Sequence, residues 1–489
     1  MNKSLFLLLG GYLLFIFFLL LFINIFYLEG TPHVPDDAAY LFMAKIFATG
    51  HILPLIPVSP EHFDFFPGIL TVDSGKWLFQ YPFGHPMLLA LGVLIGIPNA
   101  IPPLIGMLVV LLLFLIAKAV YDTKIALIVS LFPLFSPFFL ENAASFMSHN
   151  TSSFYLLLSL FCLISYFKNQ RQSFFPLLTG FFLGLLFSTR PLTGVPFILL
   201  FSSFLLLSKN NKYKTLSVFL FSIGASIPFV WWLLYNSVTT GSPFISQYFT
   251  LNKGFFGFDQ NVSLQHFVTE RLDNAKIHFL NLLPMLFNLP LVPTLLLLTL
   301  PIIDKKKNTW DRLFFYALFT LPIVYFFYNG SFLMYGPRFW YEILPFIFLL
   351  TGRGIAYALS KFPKVTLLFC IFLCIWSVGR FFSVFPSTDP DPNSPLAAER
   401  LIEFNYINSG IIKTVQKAGI HNAVVLVADC KGNWWCYGSV FPQNNPSLTT
   451  DIIYAKDLGE KNKRLKAYYP TRTFYRIDYH HLVLQKLTE

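Results

Sequence analysis

Long apolar runs separated by short polar connections set the character of this chain. The run Leu5 to Leu28 follows a single Lys3, exceeds the roughly 20 residues that cross a bilayer core, and has no small-residue cleavage site behind it. It predicts an uncleaved membrane anchor. Further runs able to span are Ile101 to Ala117, Ile125 to Leu140, Ser153 to Phe167, Phe174 to Phe187, Pro191 to Leu207, Thr215 to Tyr235, Leu282 to Ile303, Leu313 to Phe327, Phe339 to Tyr357 and Val365 to Val384. Together they predict about eleven spans, with the stretch Phe174 to Ser208 divided only by Arg190-Pro191. Pro86 to Ile97 is too short to span and predicts an interfacial or re-entrant helix. Beyond the proline- and acid-rich stretch Pro386 to Pro392 the pattern shortens. Ala423 to Ala428 and Asp451 to Ala455 read as strands, with helical pieces near Ala398 to Lys417 and Leu458 to Ala467. The expected architecture is a polytopic α-helical membrane protein at 1–385, including an outward loop at 29–85, followed by a small extracytoplasmic α/β domain at 386–489.

Composition agrees, because 55% hydrophobic and 12% charged residues depart from the roughly 25% charged of soluble domains. Cations fall in alternate short loops, among them Lys118, Lys124, Lys168, Arg171, Lys209, Lys212, Lys305, Arg353 and Lys361. By the positive-inside rule those loops and the N-terminus are cytoplasmic, and loops 29–85 and 236–281 and the tail face outward. The net charge of +11 is then mostly topogenic, which argues for membrane lipid and against nucleic acid as partner. The setting this suggests is a bacterial inner membrane with the active face in the periplasm. Cys430 and Cys436 lie in the outward tail at a spacing that is not a metal signature; whether they pair is left open.

Candidate chemistry concentrates just after the first span, in His33-Val34-Pro35-Asp36-Asp37-Ala38-Ala39-Tyr40. Proline followed by acids, with a stop at Gly50, predicts a short helix on which Asp36 serves as N-cap, and Tyr40, Met43, Ala44 and Phe47 form a stripe lying on the membrane surface. The functional reading is compatible with the structural one. A carboxylate held at the outer surface can act as general base on an acceptor hydroxyl or amine.

The order of features resembles the GT-C glycosyltransferases: one anchor helix, an outward loop opening on an acidic pair, then Gly75-Lys76-Trp77-Leu78-Phe79-Gln80-Tyr81-Pro82-Phe83-Gly84-His85-Pro86. More narrowly it is similar to the dolichyl-phosphate-mannose protein mannosyltransferase-like family, including polyprenyl-phosphate aminoarabinose transferase-like enzymes. Met147-Ser148-His149, Thr189-Arg190-Pro191 and Gly336-Pro337-Arg338-Phe339-Trp340-Tyr341-Glu342 add to the likeness. The resemblance implies that Asp36 is the catalytic carboxylate and Asp37 its neighbour, where relatives commonly carry Glu. Some relatives have a lysine where this chain has Gln80, a weaker phosphate ligand.

What the resemblance implies is a hexosyl or pentosyl transfer from a polyprenyl-phosphate-linked sugar donor to a lipid, glycan or protein acceptor, inverting, with Asp36 taking the acceptor's proton. Negative charge develops on the departing phosphate, and Arg190 and Arg338, at predicted outer span ends, are the candidates to meet it. A structural alternative pairs Arg338 with Glu342 four residues on. Glu141 and His149 belong to one outward loop, 136–151, as candidate acceptor or metal contacts. No cofactor is assigned; a divalent metal is used by some relatives and not by others, and Asp36, Asp37, Glu141 and His149 become ligands only if folding gathers them. Two other classes stand beside the transferase: a flippase or transporter of lipid-linked sugars, and a glycan ligase or polymerase.

Overall fold

The computed structural model describes residues 3–66, 68–73, 75–248, 263–303, 308–330, 332–384, 396–428 and 432–487. The expected linker at 386–392, the cations Lys305 to Lys307, and Cys430 lie outside them. Among the described residues six helices are long and apolar enough to cross a membrane: Lys3–Tyr27, Pro98–Val120, Ser148–Lys168, Lys214–Thr240, Arg338–Lys361 and Pro363–Phe381. Two bent pairs, Thr123–Phe135 with Pro137–Ala144 at 71° and Leu264–Phe287 with Leu291–Ile303 at 87°, raise the number to eight if each is one span. This is a multi-pass helical membrane protein. Length and hydropathy support six to eight of the expected eleven; Phe174–Thr189, Pro191–Leu207 and Thr309–Tyr325, at 16, 17 and 17 residues, are shorter.

The chain divides into two compact units. The first comprises Met1–Ile23, Pro102–Trp232 and Lys253–Arg400. Its helix Phe174–Thr189 ends where the sequence places the break: Arg190 leaves helical geometry (φ −143°), and Pro191 opens Pro191–Leu207 at the position where a missing N–H costs nothing. Phe174–Thr189 meets Lys214–Thr240 at glycines. A Cβ built on Gly180 would stand 1.9 Å from the Phe221 carbonyl oxygen, and one on Gly224 1.9 Å from that of Leu177. With Gly184 one turn on, this is a small-xxx-small contact that lets two backbones touch. Thr309–Tyr325 starts from a capping box between Asn308 and Asp311, and the same Asp311 carboxylate pairs with buried Arg353 and accepts from the Tyr121 hydroxyl.

The second unit comprises Asn24–Ile101, Leu233–Asn252 and Leu401–Glu489, so the loop at 29–85 and the tail pack together. Its loop part holds the helix Pro35–Ala48, a hairpin of β1 (Leu70–Asp73) and β2 (Lys76–Phe79), and the helix Gly84–Leu94. The tail carries β3 (Ala423–Val427), β4 (Ile452–Lys456), β5 (Thr473–Ile477) and β6 (Leu484–Lys486) in the order β4-β3-β5-β6. β3 is buried along its length, as the Ala-Val-Val-Leu-Val run requires of a central strand with parallel neighbours on both sides. Gly410–Ala418 buries Ile411 and Val415, one turn apart, and stops at Gly419 in the left-handed region (φ 60°). Sequence periodicity predicts β3 and β4; β5 and β6, with polar residues alternating, carry no comparable apolar run.

Candidate functional site

In the second unit the acidic pair sits inside the first turn of Pro35–Ala48, not at its cap. Val34 occupies the N-cap and makes no side-chain capping bond. The N-cap position expected for Asp36 is therefore corrected: Asp36 lies inside the first turn, where its carboxylate is favoured near the positive end of the helix. The Tyr81 hydroxyl donates to Asp36 Oδ1 at 2.6 Å. Asp36 itself is half-buried, while Asp37 points inward at 1% exposure.

Aromatic rings fix that contact from behind. Tyr81 packs on Tyr40, one turn after Asp36, at 4.6 Å, and Tyr40 meets His85 edge-on at 4.9 Å. The Tyr235 hydroxyl donates to the Tyr81 carbonyl at 3.2 Å. Tyr40, Met43 and Ala44 are buried within the unit. The membrane-surface stripe expected of them is thus a packing face, because Gly84–Leu94 covers the helix.

Both ends of Pro35–Ala48 are gripped by the tail. Upstream, His33 Nδ1 lies 3.1 Å from the Phe404 carbonyl and Nε2 3.0 Å from that of Leu28, while Asn405 donates to the His33 carbonyl at 3.0 Å. Burial pulls the His33 imidazole down to about 4, so it is neutral at physiological pH. Downstream, Lys45 donates to the carbonyls of Pro442 and Asn444, and burial lowers its ammonium to about 8. Phe42 packs against Phe441 at 4.6 Å.

In the first unit a second polar cluster is built around Glu342, which is fully buried in the turn Arg338–Ile343. Arg190 Nε lies 3.4 Å and His149 Nδ1 3.5 Å from Glu342 Oε1. Arg190 also reaches Ser148 Oγ at 3.4 Å and the Tyr325 hydroxyl at 3.2 Å. Two residues that the sequence offered separately, Arg190 and His149, thus converge on a carboxylate it considered only as a partner for Arg338. Arg338 is buried with its guanidinium 5.4 Å from the Phe339 ring, and Phe339 stacks on Tyr325 at 4.8 Å. A buried cation, acid and imidazole in contact can hold and orient an anion while the carboxylate balances the resident charge.

Glu141 is buried on the short helix Pro137–Ala144, and His149 lies in the first turn of Ser148–Lys168. The segment expected as a loop at 136–151 is therefore mostly helix, started at Pro137 by the Ser136 side chain, which accepts from the Phe139 N–H. Among the described residues no group of three or more His, Cys, Asp or Glu stands where it could hold a metal ion. Gln80 is buried beyond the end of β2. In the short tail helix Trp434–Gly438, Cys436 is disulfide-bonded and Tyr437 is buried with its hydroxyl on the Tyr454 carbonyl. Sequence reading missed Tyr81 and Tyr325; a tyrosine within the Gln80-Tyr81-Pro82 stretch was on the page, but nothing local pointed it at Asp36.

Residues 87–235 match the family model described as Dolichyl-phosphate-mannose-protein mannosyltransferase. No curated protein sequence matches the chain. Among solved structures, ArnT from Cupriavidus metallidurans bound to undecaprenyl phosphate shares the fold at a TM-score of 0.62 and 12% identity, over 98% of this chain and 94% of that one. The apo state of ArnT matches equally, at 0.62 and 12% over 97% and 93%. The Archaeoglobus fulgidus oligosaccharyltransferase in its apo form is a looser match, at 0.49 and 12% over 90% of this chain and 64% of that one. By sequence over residues 87–235, and by fold over nearly its whole length, the chain resembles the GT-C glycosyltransferases.

Proposed function

We propose that the protein transfers a hexosyl or pentosyl group from a polyprenyl-phosphate carrier to an acceptor on the extracytoplasmic face of the membrane, with inversion. The observation that carries this reading is the Asp36 carboxylate, half-buried in the first turn of its helix and held by the Tyr81 hydroxyl at 2.6 Å. Asp36 accepts the proton of the acceptor hydroxyl or amine as that atom bonds to the anomeric carbon. The bond from that carbon to the carrier phosphate breaks, and the electron pair leaves on the phosphate oxygen. Arg190, held by Glu342 and flanked by two hydroxyls, offers planar donors to that developing charge, and Arg338 offers a second cation. The undecaprenyl phosphate in the ArnT structure supports a lipid phosphate as the leaving group. A bacterial inner membrane, with the N-terminus cytoplasmic and the tail periplasmic, is the setting this assigns.

The test is release of polyprenyl phosphate from polyprenyl-phosphate sugars by the purified protein in lipid. Asp36→Asn is expected to lower the rate by about 100-fold or more, the range for losing a general base. If the sugar lipid instead crosses the bilayer chemically unchanged, and Asp36→Asn and Asp37→Asn behave like the parent, the protein is a transporter. Release of a carrier diphosphate would point to the ligase or polymerase class.

A further inference from the structure

The turn that grips His33 is strained. Glu403, Asn405 and Tyr406 all lie in the left-handed region, with φ of 55°, 55° and 60°. Asparagine tolerates that region; a glutamate and a bulky tyrosine do so at a cost of roughly 1–3 kcal/mol each, a cost that persists where surrounding structure enforces it and that clusters at ligand clamps. One side of this turn presents the Phe404 carbonyl and the Asn405 amide to His33. The other side throws the Tyr406 ring outward, 71% exposed, against Trp435 at 5.7 Å. Trp435 also meets Tyr479 at 4.9 Å and His480 at 5.7 Å.

The result is a surface cluster of four rings, each with a polar tip. Its edge is polar: the Tyr479 hydroxyl donates to the Tyr406 carbonyl, and Asn408 Nδ2 reaches Tyr479 at 3.2 Å. Rings with polar rims suit a ligand with one apolar face and a hydroxylated edge, which is the form of a pyranose: its axial C–H bonds sit on the negative face of a ring while equatorial hydroxyls reach the tips. The cluster is tied through the 403–406 turn to His33, three residues before Asp36, within one compact unit.

We propose that Tyr406, Trp435, Tyr479 and His480 form a pyranose-binding subsite, and that the acceptor is accordingly a glycan. The second half of this statement rests on the transferase reading; the first does not. The strained turn serves both ends, orienting the Asp36 helix and presenting the ring that seats the acceptor.

The test is saturation-transfer NMR on the full chain in nanodiscs, using the methyl pyranosides of glucose, galactose, mannose and N-acetylglucosamine, and chitotetraose. At least one is expected to show transfer to the protons of one ring face. Trp435→Ala and Tyr406→Ala should each cut that signal by about threefold to tenfold, the range for one aromatic contact. Trp435→Phe should restore most of it, and Tyr406, being exposed, can be truncated without disturbing the fold. Asp36→Asn should leave the signal unchanged. With a turnover assay in hand, Trp435→Ala should raise acceptor KM and leave kcat unaltered. No ring-dependent signal from any of the five saccharides overturns the subsite even if carrier phosphate is released. Binding that depends on Trp435, without carrier release by the parent, leaves the subsite standing and defeats the transferase reading.

Discussion

Replacing Arg190 with lysine keeps the charge and removes the planar fork, which separates the structural work of this residue from its chemical work. Its three nitrogens face three groups: Nε the Glu342 carboxylate at 3.4 Å, Nη1 the Ser148 hydroxyl at 3.4 Å, and Nη2 the Tyr325 hydroxyl at 3.2 Å. An ammonium can hold the carboxylate but cannot reach both hydroxyls at once. The stability cost is therefore at least one charge-assisted hydrogen bond to a hydroxyl, roughly 1.5–3 kcal/mol. Phosphate recognition is a second and independent loss. Exchanging two parallel charge-assisted bonds for a point contact forfeits about 1.5–3 kcal/mol, or roughly tenfold to 150-fold in donor kcat/KM. Thermal unfolding reads the first quantity, and initial rates of carrier release over a range of donor concentrations read the second. A lowered Tm with donor kcat/KM within about twofold of the parent refutes the phosphate role, since tenfold is the smallest loss that role permits. Arg190 would then be the structural partner of Glu342 and nothing more.

Tyr81→Phe removes the hydroxyl that fixes Asp36 while sparing the ring packing, and should lower kcat by about tenfold to 100-fold with donor KM unchanged; an unaltered kcat would show that Asp36 is oriented by other groups. Gly180→Leu forces side-chain atoms into the Phe221 carbonyl and should destabilise the protein by roughly 1–3 kcal/mol or more, whereas Gly10→Leu, where a Cβ meets open space, should be tolerated. Equal thermal midpoints for the two would disprove the close helix crossing. His33 binds protons only near pH 4 when folded against an ordinary value of 6.5, so its share of stability is full above pH 6.5 and is lost as pH falls towards 4, by at most about 3 kcal/mol. Activity and Tm of the parent should both fall across that window, and His33→Asn should flatten the Tm profile there. A parent profile as flat as the variant's would place His33 in water.

Legibility followed the range of each signal. Apolar length and the Arg190-Pro191 break are local, and the structure ends one helix at Thr189 and opens the next at Pro191. The small-xxx-small pattern of Gly180 and Gly184 was equally local and could have been read as a close helix contact. The stripe of Tyr40, Met43 and Ala44 was rightly seen as one apolar face, but a face alone does not say whether lipid or protein covers it. Glu342 was the hardest to place: its spacing from Arg338 suggested one partner, and the fold supplied Arg190 and His149.

Asp36 shows why the remainder lies beyond the reach of local sequence. A helix of 14 residues with no side-chain cap is marginal on its own, so the direction of its first-turn carboxylate is not a property of the sequence around it. It is set by Tyr81, 45 residues on, by Phe404, 371 residues after His33, and by carbonyls near residue 442 that hold Lys45. The tail is thus part of the geometry of the acid. It follows that substitutions at Glu403 or Asn405 should alter kcat without touching any atom of a substrate, and that their effect should be coupled to His33. His33→Asn removes the ring contact with the Phe404 carbonyl, and a change at Asn405 removes the bond to the residue 33 carbonyl. Because these neighbouring contacts join one turn to one segment, the second loss should cost less in the His33→Asn background than in the parent. Additive losses would mean that the turn and the helix are independent, and that the tail positions nothing.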